Sequence, residues 1–329
     1  MTLATCSEWS RAQGLDPGGT AGNYRGFLLV EHPLPWPGDA SDVAELAEVS
    51  RLASKAGLRL QLLAAELVAP GDGRPEDGDA ASPRNARRVV CYRQTREGWA
   101  GEVERSEVLV DASSVGDAVE ELVSGRARPG SRDGLVADVL VCTHGRRDRC
   151  CGSRGTELFA NLVAQPLDAS AGAGEGGAGE SGAGESGAVR LWRTSHTGGH
   201  RFSPTAVVFP SATLWGYVDR PLLQSVLASV EPVSDWLARY RGCATLGTPA
   251  QQAVERAVLA EVGWKLLSTP RRAVDAGPGT VSLETEGLGT WEGDVREGRR
   301  VPQPECGGDP ATASKYGVEW VVEGLRRTG

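Results

Sequence analysis

The sequence LVADVLV at residues 135–141 is the strongest indication of how this chain folds. A short, almost entirely apolar run is typical of a strand that is buried inside a sheet. A helix, a strand, a hairpin and a second helix are predicted to follow it, at residues 154–164, 189–193, 205–209 with 213–218, and 221–230. The predicted order of elements is therefore β-α-β-β-β-α.

The first third of the chain repeats this order. An apolar strand at residues 25–31 (RGFLLVE) follows a predicted loop at residues 2–23. The elements predicted after it are a helix at 41–56, strands at 58–67, 88–93 and 101–111, and a helix at 113–124. Alternation of strands and helices indicates an α/β fold. We predict two thioredoxin-like units that are packed together, because both halves have the element order of that fold.

Three parts are expected along the chain. Residues 1–128 are predicted to form the N-terminal thioredoxin-like unit, and residues 134–242 the second unit. Residues 243–329 are predicted to form a C-terminal helix, at 249–262, and a small β appendage. Residues 169–187 repeat Gly, Ala and Glu and have no side chains able to offset the entropy of ordering, so we predict a flexible insertion there.

Composition limits the classes of function. The 329 residues carry a net charge of −8, with 40% hydrophobic and 24% charged residues. Because affinity for nucleic acid depends on positive charge, we expect no nucleic-acid partner. No apolar run reaches the roughly 18 residues of a membrane span, and the first residues lack the apolar segment of a secretory signal. A cytoplasmic location without a membrane span is therefore expected.

Cysteine and histidine residues are concentrated after two of the predicted strands. The sequence CTHGRRDRCCG begins at Cys142, and the sequence SHTGGH ends at His200. The ends of neighbouring parallel strands meet at one edge of a sheet, so we expect these two loops to face each other. Cys142 and Cys151 have C-x8-C spacing, and His196 and His200 have H-x3-H spacing. Two thiolates and two imidazoles are ligands that zinc and iron–sulfur clusters use.

The glycines between the histidines bear on which group is bound. Gly198 and Gly199 each disfavour a helix by about 1 kcal/mol. A glycine loop suits the close approach of a bulky cluster better than it suits a helical zinc-binding pair. Its backbone N–H groups are also expected to reach the bridging sulfides of such a cluster.

These segments resemble a known family. The sequences CTHGRRDRCCG (142–152) and WRTSHTGGHRFSPTAVVFPSATLWGYVD (192–219) are similar to the sucrase/ferredoxin-like family of thioredoxin-like [2Fe-2S] ferredoxins. They also resemble a fungal branch whose cluster is held by two Cys and two His. Residues 6–31 and 302–310 look like that family too. The resemblance implies a single-electron transfer or redox-sensing protein with a [2Fe-2S] cluster. The implied ligands are Cys142, Cys151, His196 and His200.

The chain departs from ordinary members of this group in two ways. Thioredoxin-like ferredoxins ordinarily use four cysteines, and here the second pair is histidine. The Gly/Ala/Glu insertion at 169–187 is the other difference, at a position where a surface loop can absorb it.

Two neutral imidazoles change the charge of the expected cluster. An oxidised [2Fe-2S] core with two thiolates and two imidazoles is neutral, whereas four thiolates would give −2. A potential of roughly −150 to +300 mV is therefore expected, as in Rieske centres, and it should fall as pH rises. An arginine rim surrounds the loops and predicts docking of an acidic face of a redox partner, a reductase or an acceptor. Its members are Arg146, Arg147, Arg149, Arg154, Arg193 and Arg201.

Several alternatives remain open at this stage. The same four residues would also suit a zinc-stabilised binding module. Cys150 and Cys151 would suit a thiol–disulfide oxidoreductase, although they lack the C-x-x-C spacing. Cys150 is also an alternative to Cys151 as a ligand, and His144 is expected to form hydrogen bonds beside the site. The residues interpreted as structural are His32, Cys6, Cys91, Cys243 and Cys306, with Trp192, Trp215 and Phe202 in the core or shielding the cluster.

Overall fold

A computed structural model describes residues 5–64, 85–101, 103–126, 135–168, 188–230, 232–304 and 308–329. The predicted insertion at 169–187 and Cys306 lie outside these ranges. The helices are α1 (Cys6–Ala12), α2 (Ala47–Lys55), α3 (Val115–Val123), α4 (Thr156–Ala164), α5 (Arg220–Ala228), α6 (Pro249–Val262) and α7 (Lys265–Ser268). Helix α1 falls where the sequence predicts a loop, because a Thr5–Glu8 capping box satisfies its N-terminus.

The described strands form two sheets. The larger has the order β4-β3-β1-β2-β6-β5-β7-β8-β9, and the smaller has the order β10-β11-β12-β13. The strands of the larger sheet are β1 (Gly26–Glu31), β2 (Leu58–Ala64), β3 (Ala86–Gln94), β4 (Val103–Asp111), β5 (Leu135–Cys142), β6 (Ala188–Thr194), β7 (Ala206–Phe209), β8 (Thr213–Trp215) and β9 (Tyr240–Cys243). Those of the smaller sheet are β10 (Arg271–Gly277), β11 (Thr280–Thr285), β12 (Gly289–Pro302) and β13 (Tyr316–Arg327).

The chain is an α/β protein, and the predicted element order occurs in both halves. In the first half β1 and β2 are parallel, β3 is antiparallel to β1, and β4 is antiparallel to β3. In the second half β5 and β6 are parallel, β7 is antiparallel to β5, and β8 is antiparallel to β7. Each half thus has the same spatial strand order. Its assignment as thioredoxin-like stays a prediction.

The two halves belong to one sheet and share one core. They join where β2 pairs with β6 through Leu63 with Thr194 and Ala64 with Arg193. Phe209 of β7 stacks on Tyr92 of β3 with ring centroids 4.0 Å apart. Four strands lie between β3 and β7 in the sheet order, so the sheet must fold back on itself to bring these rings together.

A buried polar network also crosses between the halves. Asp138 interrupts the apolar run of β5 and is 1% exposed. Its carboxylate accepts hydrogen bonds from Tyr92, Arg105 and Arg190, and from Trp192 Nε1 at 2.7 Å. Asp138, the polar residue of the LVADVLV run, therefore links β3 and β4 to β5 and β6.

The C-terminal part packs on the larger sheet through α6. Arg271 of β10 and Glu255 of α6 form a fully buried ion pair, and Glu255 also accepts from the hydroxyl of Tyr240 at 2.9 Å. The predicted boundary between residues 242 and 243 falls inside β9. Among the described residues, no helix has the length and apolar character that crossing a membrane requires.

Candidate functional site

The two loops that contain the cysteine and histidine motifs start side by side at one edge of the larger sheet. Strand β5 ends at Cys142, its parallel neighbour β6 ends at Thr194, and the register pairs these two residues. Residues 143–150 are called the Cys loop below, and residues 195–200 the His loop. As expected from adjacent parallel strands, the loops meet, and His196 forms a hydrogen bond with the sulfur of Cys142.

Cys142 and Cys151 form a buried pair of thiols. The Cys151 thiol donates a hydrogen bond to the sulfur of Cys142, which also receives bonds from His196 and from the backbone N–H groups of His144 and Thr197. The bond from Cys151, with these others, holds the pKa of Cys142 well below its ordinary value in spite of burial. The same bond raises the pKa of Cys151. The lowered pKa favours the thiolate form of Cys142, which is the form that binds metals.

The two histidines are linked by a carboxylate that the sequence analysis did not single out. Nδ1 of His196 lies 2.9 Å from Oδ2 of Asp148, and Nδ1 of His200 lies 2.9 Å from Oδ1 of the same residue. The His196 contact has ion-pair distance without the alignment of a hydrogen bond. The ring centroids are 6.4 Å apart. Because both Nδ1 atoms face Asp148, the Nε2 side of each ring is turned away from the carboxylate.

The charges at this contact support one another. Burial would raise the pKa of Asp148, but His196 and His200 hold it well below its ordinary value. Burial would lower the pKa of His196, but Asp148 and Cys142 raise it above its ordinary value. Metal-binding histidines commonly place their second ring nitrogen on a carboxylate in this way. Asp148 is the only acidic residue of the Cys loop. A single carboxylate among arginines was the feature of the sequence that could have pointed to its role.

A buried arginine lies beneath the His loop. Arg241 of β9 is 2% exposed and donates to the carbonyl of Gly198 at 3.0 Å and to both oxygens of Thr20. Burial lowers its pKa to about 10, and the nearby thiols of Cys151 and Cys142 oppose this shift. Arg241 thus keeps a positive charge close to the cysteine pair. Sequence reasoning missed it because it lies on a later strand, away from either motif.

Gly199 is required by this arrangement. Its φ is +69°, and a Cβ added there would lie 2.5 Å from Cζ of Arg241. Gly198 also has a positive φ, +80°, but a Cβ added there would lie 3.9 Å from Nη2 of Arg241, which is an ordinary van der Waals contact. Only the second glycine therefore combines a left-handed conformation with a close approach.

Gly199→Ala is expected to destabilise the protein more than Gly98→Ala does. Both glycines have φ near +70°, so both variants incur roughly 1–2 kcal/mol of backbone strain. Gly98 has no atom within 4 Å of its added Cβ, whereas Gly199→Ala must also displace Arg241 from its hydrogen bonds. Since each bond is worth roughly 0.5–1.5 kcal/mol, the extra loss should be about 1–2 kcal/mol in urea unfolding. Equal losses in the two variants would contradict this role of Arg241.

Cys150 and His144 have partners other than the predicted ligands. The Sγ of Cys150 lies 3.0 Å from the Sγ of Cys6 on α1. Nε2 of His144 lies 2.6 Å from the carbonyl oxygen of Pro37. The adjacent thiols of Cys150 and Cys151 thus lie against different cysteines, Cys6 and Cys142. Cys91 and Cys243 are buried, and burial raises the pKa of each thiol, to about 11 for Cys91.

The arginine rim is only partly available to a partner. Arg147 pairs with Asp39 at 3.0 Å, and Arg154 pairs with Glu8 at 2.6 Å. Arg201 stacks over the ring of Phe202, and burial lowers its pKa. Arg193 is half-buried and donates to Thr143. Within the described part of the chain, the structure records no ion pair for the remaining two members, which are exposed: Arg146 and Arg149.

A cavity of about 330 Å³ opens beside the His loop. It is lined on the site's side by His144, Arg147, Ser195 and His196, and on the far side by the region around α2. The side chains of His196 and His200 are 16% and 27% exposed. Solvent therefore reaches the site from the histidine side, whereas the cysteine side is closed.

Fold and site together define an α/β protein with a buried thiol pair that faces a carboxylate-linked pair of imidazoles. The chain belongs to the sucrase/ferredoxin-like family, whose model matches residues 17–260. No curated protein and no solved structure matches it. In the ranges that the structure describes, no three His, Cys, Asp or Glu side chains are grouped so as to hold one metal ion.

Proposed function

We propose that this protein is an iron–sulfur redox protein that holds one [2Fe-2S] cluster and transfers single electrons or senses redox state. The proposed ligands are Cys142, Cys151, His196 and His200. The observation that carries this function is the meeting of a buried thiol pair and a carboxylate-linked imidazole pair at two adjacent strand ends. Cysteine thiolates, with histidine in place of two of them, are known ligands of such clusters.

The residues present fit this group chemically. Cys142 has a lowered pKa and Cys151 contacts it directly, so one thiolate is ready and the second lies beside it. Both Nδ1 atoms lie 2.9 Å from Asp148, so the Nε2 side of each ring is turned away from the carboxylate. A bound [2Fe-2S] cluster would accept and release one electron at this place.

The protein's own charges bear on how readily an electron is accepted. Two thiolates and two neutral imidazoles give a less negative environment than four thiolates, so we expect a potential of roughly −150 to +300 mV. The buried guanidinium of Arg241 favours an added negative charge, and the carboxylate of Asp148 opposes it. These two residues are therefore expected to shift the potential of the site in opposite directions.

Electron exchange is proposed to take place on the histidine side. His196 and His200 are the partly exposed members of the proposed ligand set. Arg146 and Arg149 are exposed on the neighbouring Cys loop and would attract an acidic face of a redox partner. No disulfide joins the cysteines that the structure describes, which fits the reducing conditions of the cytoplasm.

Anaerobic purification followed by iron and sulfide quantitation tests this function. We expect two irons and two sulfides per chain, a reddish-brown colour, and an axial EPR signal after dithionite reduction. A colourless protein with one zinc per chain would instead identify a zinc-stabilised module and refute the redox function.

A pair of neighbouring variants tests the ligand assignment. Cys151→Ala should lose iron, sulfide and colour, whereas Cys150→Ala should keep them, because Cys151 bonds to the sulfur of Cys142, whereas the sulfur of Cys150 lies against that of Cys6. His196→Cys adds a thiolate and should lower the reduction potential while keeping the iron. Retention of the cluster in Cys151→Ala with loss in Cys150→Ala would assign the ligand to Cys150.

A further inference from the structure

Cys6 and Cys150 form a second thiol pair beside the proposed cluster site. Their Sγ atoms are 3.0 Å apart, although the residues are 144 positions apart in the chain. This distance is about 1 Å longer than a disulfide bond of about 2.05 Å. The side chains are 3% and 0% exposed, so both sulfurs are enclosed by the protein.

Contacts on both sides of the pair keep the two sulfurs together. Glu8 of α1 pairs with Arg154, which follows the Cys loop, at 2.6 Å. The hydroxyl of Ser7 donates to the carbonyl of Ser203, and the hydroxyl of Ser203 donates to the carbonyl of Cys150 at 3.0 Å. Helix α1 is therefore fixed next to the Cys loop before any covalent bond forms.

We propose that Cys6 and Cys150 form a reversible disulfide when the protein is exposed to hydrogen peroxide. Peroxide oxidises one thiol to a sulfenic acid and is reduced to water. The sulfur of the other thiol then attacks the sulfenic sulfur, so that the S–S bond forms and the hydroxyl leaves as a second water. Two thiols and one peroxide thus give one disulfide and two waters. Two equivalents of a thiol reductant, which are themselves oxidised to a disulfide, return Cys6 and Cys150 to thiols.

The disulfide covalently joins α1 to the last residue of the Cys loop, directly before the proposed ligand Cys151. It is distinct from the proposed cluster site, since neither Cys6 nor Cys150 belongs to the ligand set. Cys91 and Cys243 are suitable comparisons, because both are buried and neither has a cysteine among its recorded contacts in the described ranges.

Peptide mapping of the oxidised wild-type protein tests this inference without any mutation. The purified protein is treated with stoichiometric hydrogen peroxide, alkylated, and digested with trypsin. We expect a cross-linked species between residues 1–11 and residues 150–154, which dithiothreitol removes. Fragmentation between Cys150 and Cys151 assigns the bond, because trypsin releases both cysteines in one peptide. Cys91 and Cys243 should remain reduced.

Unfolding midpoints supply a second readout. Oxidation should raise the urea midpoint of wild-type protein and of Cys91→Ser, but not of Cys6→Ser or Cys150→Ser, because the bond closes a long loop in the unfolded chain. A bond from Cys150 to Cys151 or Cys142, or a Cys6 that remains fully alkylated after oxidation, would overturn the inference. Iron content is measured separately, so an absent cluster and an absent disulfide give different results.

Discussion

Asp148→Asn is expected to release iron to a chelator about 10–100-fold more readily than the wild-type protein does. Partners that orient metal-bound histidines typically contribute this much to metal affinity. Asparagine keeps the shape of the side chain but loses its charge, and its amide nitrogen cannot accept from a ring N–H. One of the two histidines would therefore lose its partner, since Asp148 contacts Nδ1 of both His196 and His200 at 2.9 Å.

Two further measurements separate positioning from a general loss of stability. The reduction potential of Asp148→Asn should rise, because a negative charge next to the proposed ligands is removed. Asp39→Asn is the matched control, since Asp39 pairs with Arg147 at the rim and has no recorded contact with the two histidines. If Asp148→Asn retains iron as well as wild type and has the same reduction potential, the carboxylate does not position the histidine ligands.

The meeting of the two loops was predictable from sequence because it follows from topology. Parallel strands next to each other place their carboxyl ends together, and the motifs begin at the last residue of β5 and directly after β6. Asp148 and Arg241 were not predictable in the same way. Their roles depend on side-chain directions within a loop and on a strand far along the chain, which no spacing rule encodes.

The fold was predictable where local pattern determines it. Apolar runs and helical periodicity indicated the element order of both halves, and the predicted helix at 249–262 has the observed bounds of α6. Helix α1 has only seven residues and depends on its capping box and on contacts with distant segments. The joining of the two halves into one sheet was missed because only two residue pairs make the connection between β2 and β6.

Asp138→Ala is expected to destabilise the protein by about 3–5 kcal/mol. Removing one member of a buried ion pair costs this much because the partner's charge is left buried without compensation. Asp138 is 1% exposed, and without it Arg105 and Arg190 would share the single carboxylate of Glu107, so one of these two largely buried positive charges would lack compensation. Urea unfolding measures the loss. Glu323→Ala is the control, because the exposed pair of Glu323 with Arg296 should be worth only about 0–1 kcal/mol.

The same variant shows whether the two halves unfold as one unit. Asp138 joins strands of both halves, and the aromatic rings of Tyr92 and Phe209 stack between them. The loss should therefore shift a single transition, seen at the same urea concentration by tryptophan fluorescence and by far-ultraviolet circular dichroism. Two separated transitions would mean that the halves are independent. If Asp138→Ala loses no more stability than Glu323→Ala, the buried network does not stabilise the contact between the halves.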